Sequence, residues 1–398
     1  MSLKEDIKKL AKLYHQEIIE IRRHLHQFPE LSFQEVNTGK FIAKKLTEYG
    51  IPYEHGVAEN GVVGLIKGKN PHKTVVALRG DIDALPILEA NDVPYKSKNE
   101  GVMHACGHDV HTSSVLGAAK ILNTIKNRFE GTIKLIFQPG EEKLPGGASI
   151  MIKEGVLENP MPNCIFGQHV HPEMEAGLIG FKAGNFMASN DGIYITIRGK
   201  SGHGALPHAC IDPIVIASNI VVSLQQLVSR HANPTHPTVL TFGQFRDKDG
   251  SSNIIPSEVN IVGTFRTLNE DWRYTAHQKM QEMVIGIAQA MGGICEFTIE
   301  KGIPCLVNDT PLTNRAKKNA EAYVGAENVV DLPARMASED FANFSQQLPA
   351  CFYRLGTSNA KRGIISNVHT PTFDIEEKVL ELSIGLMAWL AIQELAVA

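Results

Sequence analysis

Apolar residues recur every three to four positions at the start of the chain. Ile7, Leu10, Ala11, Tyr14, Ile18, Ile21 and Leu25 share one face of a helix predicted over residues 4–27. The period then shortens. VVGLIKG (62–68), KTVVALRG (73–80), GTIKLIFQ (131–138) and NCIFGQHV (163–170) read as strands, and HTSSVLGAAKILNTI (111–125) reads as a helix rich in small residues. Short apolar strands between helices predict an α/β fold whose mostly parallel sheet is covered by helices on both faces.

Near residue 185 the pattern changes. Ile193, Ile195 and Ile197 alternate with other residues, as in a half-exposed strand. A helix over 212–230, strands over 238–246 and 258–268, a helix over 270–291 and a strand over 295–302 follow. That order is the β-α-β-β-α-β of a ferredoxin-like sandwich. Helix–strand alternation resumes after about residue 306. The predicted division is therefore 1–185 and 306–398 for one larger domain, with 186–305 inserted. The final apolar segment, EEKVLELSIGLMAWLAIQEL, has an uncharged stretch only from Ser383 to Gln393, about half the roughly 20 residues a membrane span needs. It reads as a core helix.

Composition narrows the partners. Of 398 residues, 43% are apolar and 21% charged, and the formal net charge is −4. No long basic run is present, which argues against nucleic acid and anionic membranes as partners. The start of the chain is charged from Lys4 onward and lacks the apolar core of a signal peptide. Its six cysteines are scattered without framework spacing, so a cytoplasmic location is expected.

Ligands of parallel α/β sheets bind beyond the carboxyl ends of the strands. Asp81 and Asp83 follow one predicted strand, Glu141 and Glu142 another, and His169 and His171 end a third. Cys106, His108, Asp109 and His111 lie in a connection, and His369 in a loop after CFYRLGTS. Each has a plain structural explanation when taken singly, such as a turn cap, a small core residue or a helix-start acid. Together they would crowd uncompensated charge at one sheet edge, a cost that a bound cation removes. Thiolate, imidazole and carboxylate are zinc-type ligands, and there are more of them than one tetrahedral ion needs. Two metals would use them all. Adjacent glutamates could then divide the work, one ligating and one acting as a general base.

The motifs RRHLHQFPELSFQE (22–35), RGDIDALPI (79–87), HACGHDVHTSSVLGAA (104–119), FQPGEE (137–142), FGQHVHP (166–172), SGHGALPH (201–208), SEDF (338–341) and NVHTPTFD (367–374) span nearly the whole chain. In that order they resemble the two-metal aminoacylase and carboxypeptidase superfamily, most closely its N-acyl-amino-acid amidohydrolases, such as hippurate hydrolase, N-acetyl-amino-acid deacetylases and auxin-conjugate hydrolases. The resemblance implies that Cys106, His108, Glu142, His169 and His369 are metal ligands and Glu141 the general base. It implies that Asp83 orients a ligand or steers the base. The wider superfamily has a histidine ligand where this chain has Asp81, which leaves the metal open: zinc first, with manganese, nickel or cobalt as alternatives. His171 is set aside because the matching ligand is His169. His104, Asp109 and His111 are expected to orient ligands by hydrogen bonding.

The inserted domain holds His203 in a glycine-flanked turn, Asn253 in SSNIIP and Arg266 in GTFRTL. By resemblance, His203 stabilises an oxyanion, and Asn253 and Arg266 grip a substrate carboxylate, a role suited to a guanidinium. The resemblance also implies a lid and dimerisation role for this domain, in a dimer or tetramer. The implied reaction is hydrolysis of small N-acyl amino acids, of N-acetyl or N-benzoyl type, to a carboxylic acid and a free amino acid. The alternatives are a dipeptidase or aminopeptidase on the same fold, or a metal-binding protein without catalysis. A thiol redox enzyme fits poorly, because no Cys-x-x-Cys pair occurs.

Overall fold

A computed structural model describes residues 2–248 and 250–397. The chain divides into two compact units. One comprises the chain up to Gly184, Val307–Pro333, and the chain from Asp340 onward; the other comprises Asn185–Leu306 and Ala334–Glu339.

The first unit is built on an eight-stranded sheet. Its spatial order is Tyr53–Val57, Gly61–Lys67, Thr132–Gln138, Val75–Asp81, Cys164–Glu175, Ala350–Ser358, Ile179–Phe181 and Val329–Asp331. The four central strands, Thr132–Gln138 through Ala350–Ser358, are mutually parallel. The antiparallel pairs lie outside them. Every residue of Val75–Asp81 and Thr132–Gln138 is buried, as expected for strands covered on both faces.

The helices Leu3–Gln27, His108–Thr124 and Val379–Leu395 pack on one another, and the last two also pack on Val75–Asp81. Small residues permit this. A Cβ at Gly117 would come within 2.3 Å of Ile384, so this glycine serves the helix–helix contact rather than the sheet. A Cβ at Gly80 would stand 3.0 Å from the His111 carbonyl, so the sheet side of the contact is tight as well. Val379–Leu395 is buried nearly all round, as its apolar run predicts. Among the described residues no helix is long and apolar enough to cross a membrane.

The second unit has a four-stranded antiparallel sheet ordered Thr238–Asp247, Glu258–Thr267, Asp191–Arg198, Ile294–Lys301. The helices Pro213–Gln226 and Glu270–Ala290 supply the rest of its core. Ile193, Ile195 and Ile197 are buried against Ile216, Ile220, Val259, Ile261 and Met280. Asp212 and Asn269 cap the two helices through their side-chain oxygens.

Candidate metal centre

The parallel strands of the first unit position two of the five candidate ligands, Glu142 and His169, together with Asp81, Asp83, Glu141 and His171. Val75–Asp81 ends at Asp81, with Asp83 two residues on. Thr132–Gln138 runs into the Pro139–Gly140 turn, where Gly140 has φ +61°, and then into Glu141 and Glu142. His169 and His171 lie inside their strand and do not end it. Pairing with Ala350–Ser358 carries Cys164–Glu175 on past His171 to Glu175.

Cys106 and His108 flank Gly107, whose φ of +82° is left-handed. A Cβ there would also meet Val170 at 2.6 Å. The following helix begins at His108, earlier than the pattern at 111 suggests, with Asp109 in its first turn. His369 also has positive φ, +62°, an uncommon conformation for a residue with a Cβ. Its backbone N–H donates to the Ala105 carbonyl at 2.8 Å, tying its loop to the Cys106 segment.

These segments bring five donor atoms into one chain of contacts. His169 Nε2 lies 3.4 Å from Cys106 Sγ, and Cys106 Sγ lies 3.3 Å from His369 Nε2. Glu142 Oε1 then lies 3.3 Å from His369 Nε2 and 3.9 Å from His108 Nε2. With metal–ligand bonds of roughly 2.0–2.3 Å, donors around a tetrahedral zinc stand about 3.3–3.8 Å apart. His108 Nε2 and Glu142 Oε1 are buried without a hydrogen-bond partner. Buried polar atoms are seldom left so, and a shared cation satisfies both. The residues present therefore fit a divalent metal centre.

The surrounding side chains aim these donors. His108 Nδ1 meets the Asp83 carbonyl at 2.9 Å and its Oδ1 at 3.1 Å, which turns Nε2 toward Glu142. Asp83 Oδ2 accepts from Ser32 Oγ at 2.6 Å and from the Glu142 backbone N–H at 3.0 Å. His111 Nε2 accepts the Val170 N–H at 2.9 Å, so its Nδ1 carries the proton shared with Asp81 Oδ1 at 2.7 Å. Asp81 thus holds the backbone beside His169, and Arg79 Nη1 donates to its other oxygen at 2.7 Å.

Electrostatics follow this arrangement. Burial pushes the Cys106 thiol well up, so a cation has to displace its proton. Burial also holds His169 well below the ordinary imidazole value, with Arg354 adding to the effect. For Asp81, burial is outweighed by His108 and Arg79, which hold its carboxyl well below the usual range.

Glu141 is buried next to this cluster. One of its oxygens, one Glu142 oxygen and one His108 ring nitrogen all lie within 4.8 Å of one another. Of the three residues expected to orient ligands, His111 bonds Asp81 and the Val170 N–H. Asp109 pairs instead with Arg22 and His26, each at 2.8 Å. Both ring nitrogens of His104 are buried without a hydrogen-bond partner. His171 lies 3.7 Å from Glu173.

His203, Asn253 and Arg266 belong to the second unit. His203 pairs with Ile254 in a two-stranded ladder, and the Gly204 N–H donates to the Asn253 carbonyl at 2.8 Å. His203 Nδ1 accepts the Ala205 N–H at 3.1 Å, which leaves the proton of the neutral ring on Nε2. Arg266 is half-buried and donates to the Met336 carbonyl at 3.2 Å. Burial lowers its pKa.

Arg79, Gln138 and Asp340 form a further buried polar set that no residue pattern in the sequence picks out. They lie inside RGDIDALPI, FQPGEE and SEDF, but what they bind depends on chain partners up to 261 residues away.

The sequence profile of peptidase family M20/M25/M40 matches residues 77–393. An N-acyl-L-amino acid amidohydrolase of Geobacillus stearothermophilus is 42% identical over 305 residues, 77% of this chain and 81% of its own. An N-acetylcysteine deacetylase of Bacillus subtilis is 38% identical over 383 residues, 96% of this chain and 97% of its own. The crystal structure of a dinuclear metal binding peptidase of the M20 family from Bacillus subtilis superposes with a TM-score of 0.84. It is 35% identical, over 97% of this chain and 100% of that one.

Proposed function

The chain belongs to peptidase family M20/M25/M40, and from that premise we propose that it hydrolyses the amide bond of N-acyl amino acids at a pair of divalent metal ions. The observation that carries this reading is the run of contacts from His169 through Cys106, His369 and Glu142 to His108, with Glu141 beside it. Five donors exceed one tetrahedral shell, and a neighbouring carboxylate is left for proton transfer. Relatives named as an N-acyl-L-amino acid amidohydrolase and an N-acetylcysteine deacetylase support the substrate class. The thiolate favours zinc, with manganese, nickel and cobalt next.

Such ions, when bound, supply Lewis acidity toward the scissile carbonyl and make water acidic near neutral pH. Glu141 takes the proton of the attacking water and returns it to the leaving nitrogen. Asp83 keeps His108 in the tautomer that ligates through Nε2. His203 donates from Nε2 to the oxyanion, in its own or a partner subunit. Arg266 and Asn253 hold the substrate carboxylate. Residues 186–305 serve as lid and as dimer or tetramer surface. A cytoplasmic setting suits six free cysteines.

The test is a panel of N-acetyl and N-benzoyl amino acids against free dipeptides, on protein stripped with chelator and reloaded with each metal in turn. Restored cleavage of the N-acyl compounds is expected. Preference for dipeptides would select the peptidase alternative, and binding of metal without any hydrolysis would remove the enzyme reading.

A further inference from the structure

Arg79 and Asp340, in the motifs RGDIDALPI and SEDF, are fully buried charges with no part in the proposed reaction. Asp340 is the more unusual, because donors from three separate elements converge on its carboxylate. Oδ1 receives Arg79 Nη2 at 2.8 Å and Gln138 Nε2 at 2.8 Å. Oδ2 receives Gln138 Nε2 at 2.7 Å and the Ala148 N–H at 3.0 Å. Gln138 is aligned in turn by Arg79, whose Nε donates to its Oε1 at 2.8 Å. Space for the carboxylate depends on a glycine: a Cβ at Gly146 would stand 2.8 Å from Asp340 Oδ2.

Burying a carboxylate is costly, and satisfying it with this many donors fixes its residue in position. The backbone N–H of that same residue donates to Glu141 Oε1 at 3.2 Å. The side chain is the anchor, and the N–H is what it presents.

We propose that Asp340 is a positioning residue for Glu141. Its side chain, held by Arg79, Gln138 and the Ala148 N–H, sets a backbone N–H that fixes the Glu141 carboxylate beside the metal donors. This rests on the reading of Glu141 as the general base. A proton carrier must sit within hydrogen-bond reach of its substrate, and about 1 Å of misplacement costs on the order of a hundredfold in rate. Gln138 has a matching place, because it ends the strand from which the Glu141 turn departs. Arg79 joins both halves, since its Nη1 also holds Asp81.

The test uses the metal-loaded, full-length protein and a double-mutant cycle. Asp340→Asn keeps the shape but loses the charge that accepts four hydrogen bonds. Its kcat is expected to fall by about tenfold or more, with KM within about twofold and metal stoichiometry equal to wild type. Glu141→Gln is expected to fall by about a thousandfold or more, and Glu141→Gln/Asp340→Asn no further, because the two act as one unit. An unchanged kcat in Asp340→Asn with a lowered Tm would make Asp340 a fold residue only and overturn the proposal. Additive losses in the double variant, or loss of metal in Asp340→Asn, would overturn it as well. Should Asp340→Asn fail to fold, Gln138→Leu leaves the Arg79 and Ala148 donors to Asp340 in place while removing those of Gln138; it is expected to lower kcat about threefold at constant metal content, and no change there counts against the proposal. Full turnover in Glu141→Gln would instead remove the base assignment itself, a distinct result.

Discussion

His108 and Asp109 are consecutive residues, both fully buried, and they enter two different polar interiors. His108 faces Glu142 and Asp81, and its Nε2 finds no hydrogen-bond partner. Asp109 faces Arg22 and His26, in a network that closes on itself. Arg22 reaches Asp109 at 2.8 Å, Asp374 at 3.0 Å and Glu377 at 3.5 Å. His26 bridges Asp109 and Glu89, and Tyr95 donates to Asp374 at 2.8 Å. In that network cations and anions alternate, and Asp109 is held well below the usual carboxylate range: burial opposes this, but Arg22 and His26 outweigh it. The difference teaches how to read buried charge. A set that satisfies its own donors and acceptors is architecture, whereas one in which unpaired atoms of several metal-binding side chains face one another has the chemistry to hold a cation.

That contrast can be broken by experiment. The largest effect belongs to the open set. His108→Ala is expected to lower metal stoichiometry and reduce turnover by about a thousandfold or more, read by metal analysis and kinetics on protein that is still folded. Normal metal content in this variant would remove His108 as a ligand.

The closed set should respond in the opposite way. Arg22→Met leaves the buried Asp109 with only His26 and the Val110 N–H, which on the usual scale of broken buried pairs destabilises by about 3–5 kcal/mol. Chemical denaturation should show this, with metal stoichiometry retained at temperatures where the variant is folded. Metal loss without a drop in stability would erase the distinction between the two networks.

The smallest effect sharpens the comparison in the second unit. Asp191 there accepts from Arg273 and from Gly302 N–H and pairs with His277 at 2.8 Å, leaving His277 Nδ1 as the one ring atom without a partner. Burial would raise the Asp191 pKa, but Arg273 and His277 bring it down to about 2 from 3.8. A depressed carboxylate lends stability above its unfolded value and loses it as pH falls through the folded one. Asp191→Asn should therefore flatten the fall in stability between about pH 4 and pH 2, read from denaturation midpoints. An unchanged acid slope would show that another group governs it.

Much of the site was legible before folding is considered, because its chemistry is local. Gly107 between Cys106 and His108 announces a tight turn, and φ +82° is what the turn needs. The pair Glu141–Glu142 after an apolar run places acids at a strand end. Other features were not legible. Nothing in HACGHDVH says that His108 and Asp109 diverge, since that depends on a helix starting at His108 and on Arg22, 87 residues away. The link from Asp340 to Glu141 spans 199 residues and runs through a backbone N–H, which no residue type can signal.

By itself, the sequence determined the periodicities, the turns and the inventory of donors. Side-chain spacing and backbone permissiveness are properties of neighbouring residues. Tertiary structure alone decided which donors meet, which stay unpaired and which charges cancel. Those outcomes depend on distances between segments far apart in the chain, and on burial that removes the water otherwise available to every polar group.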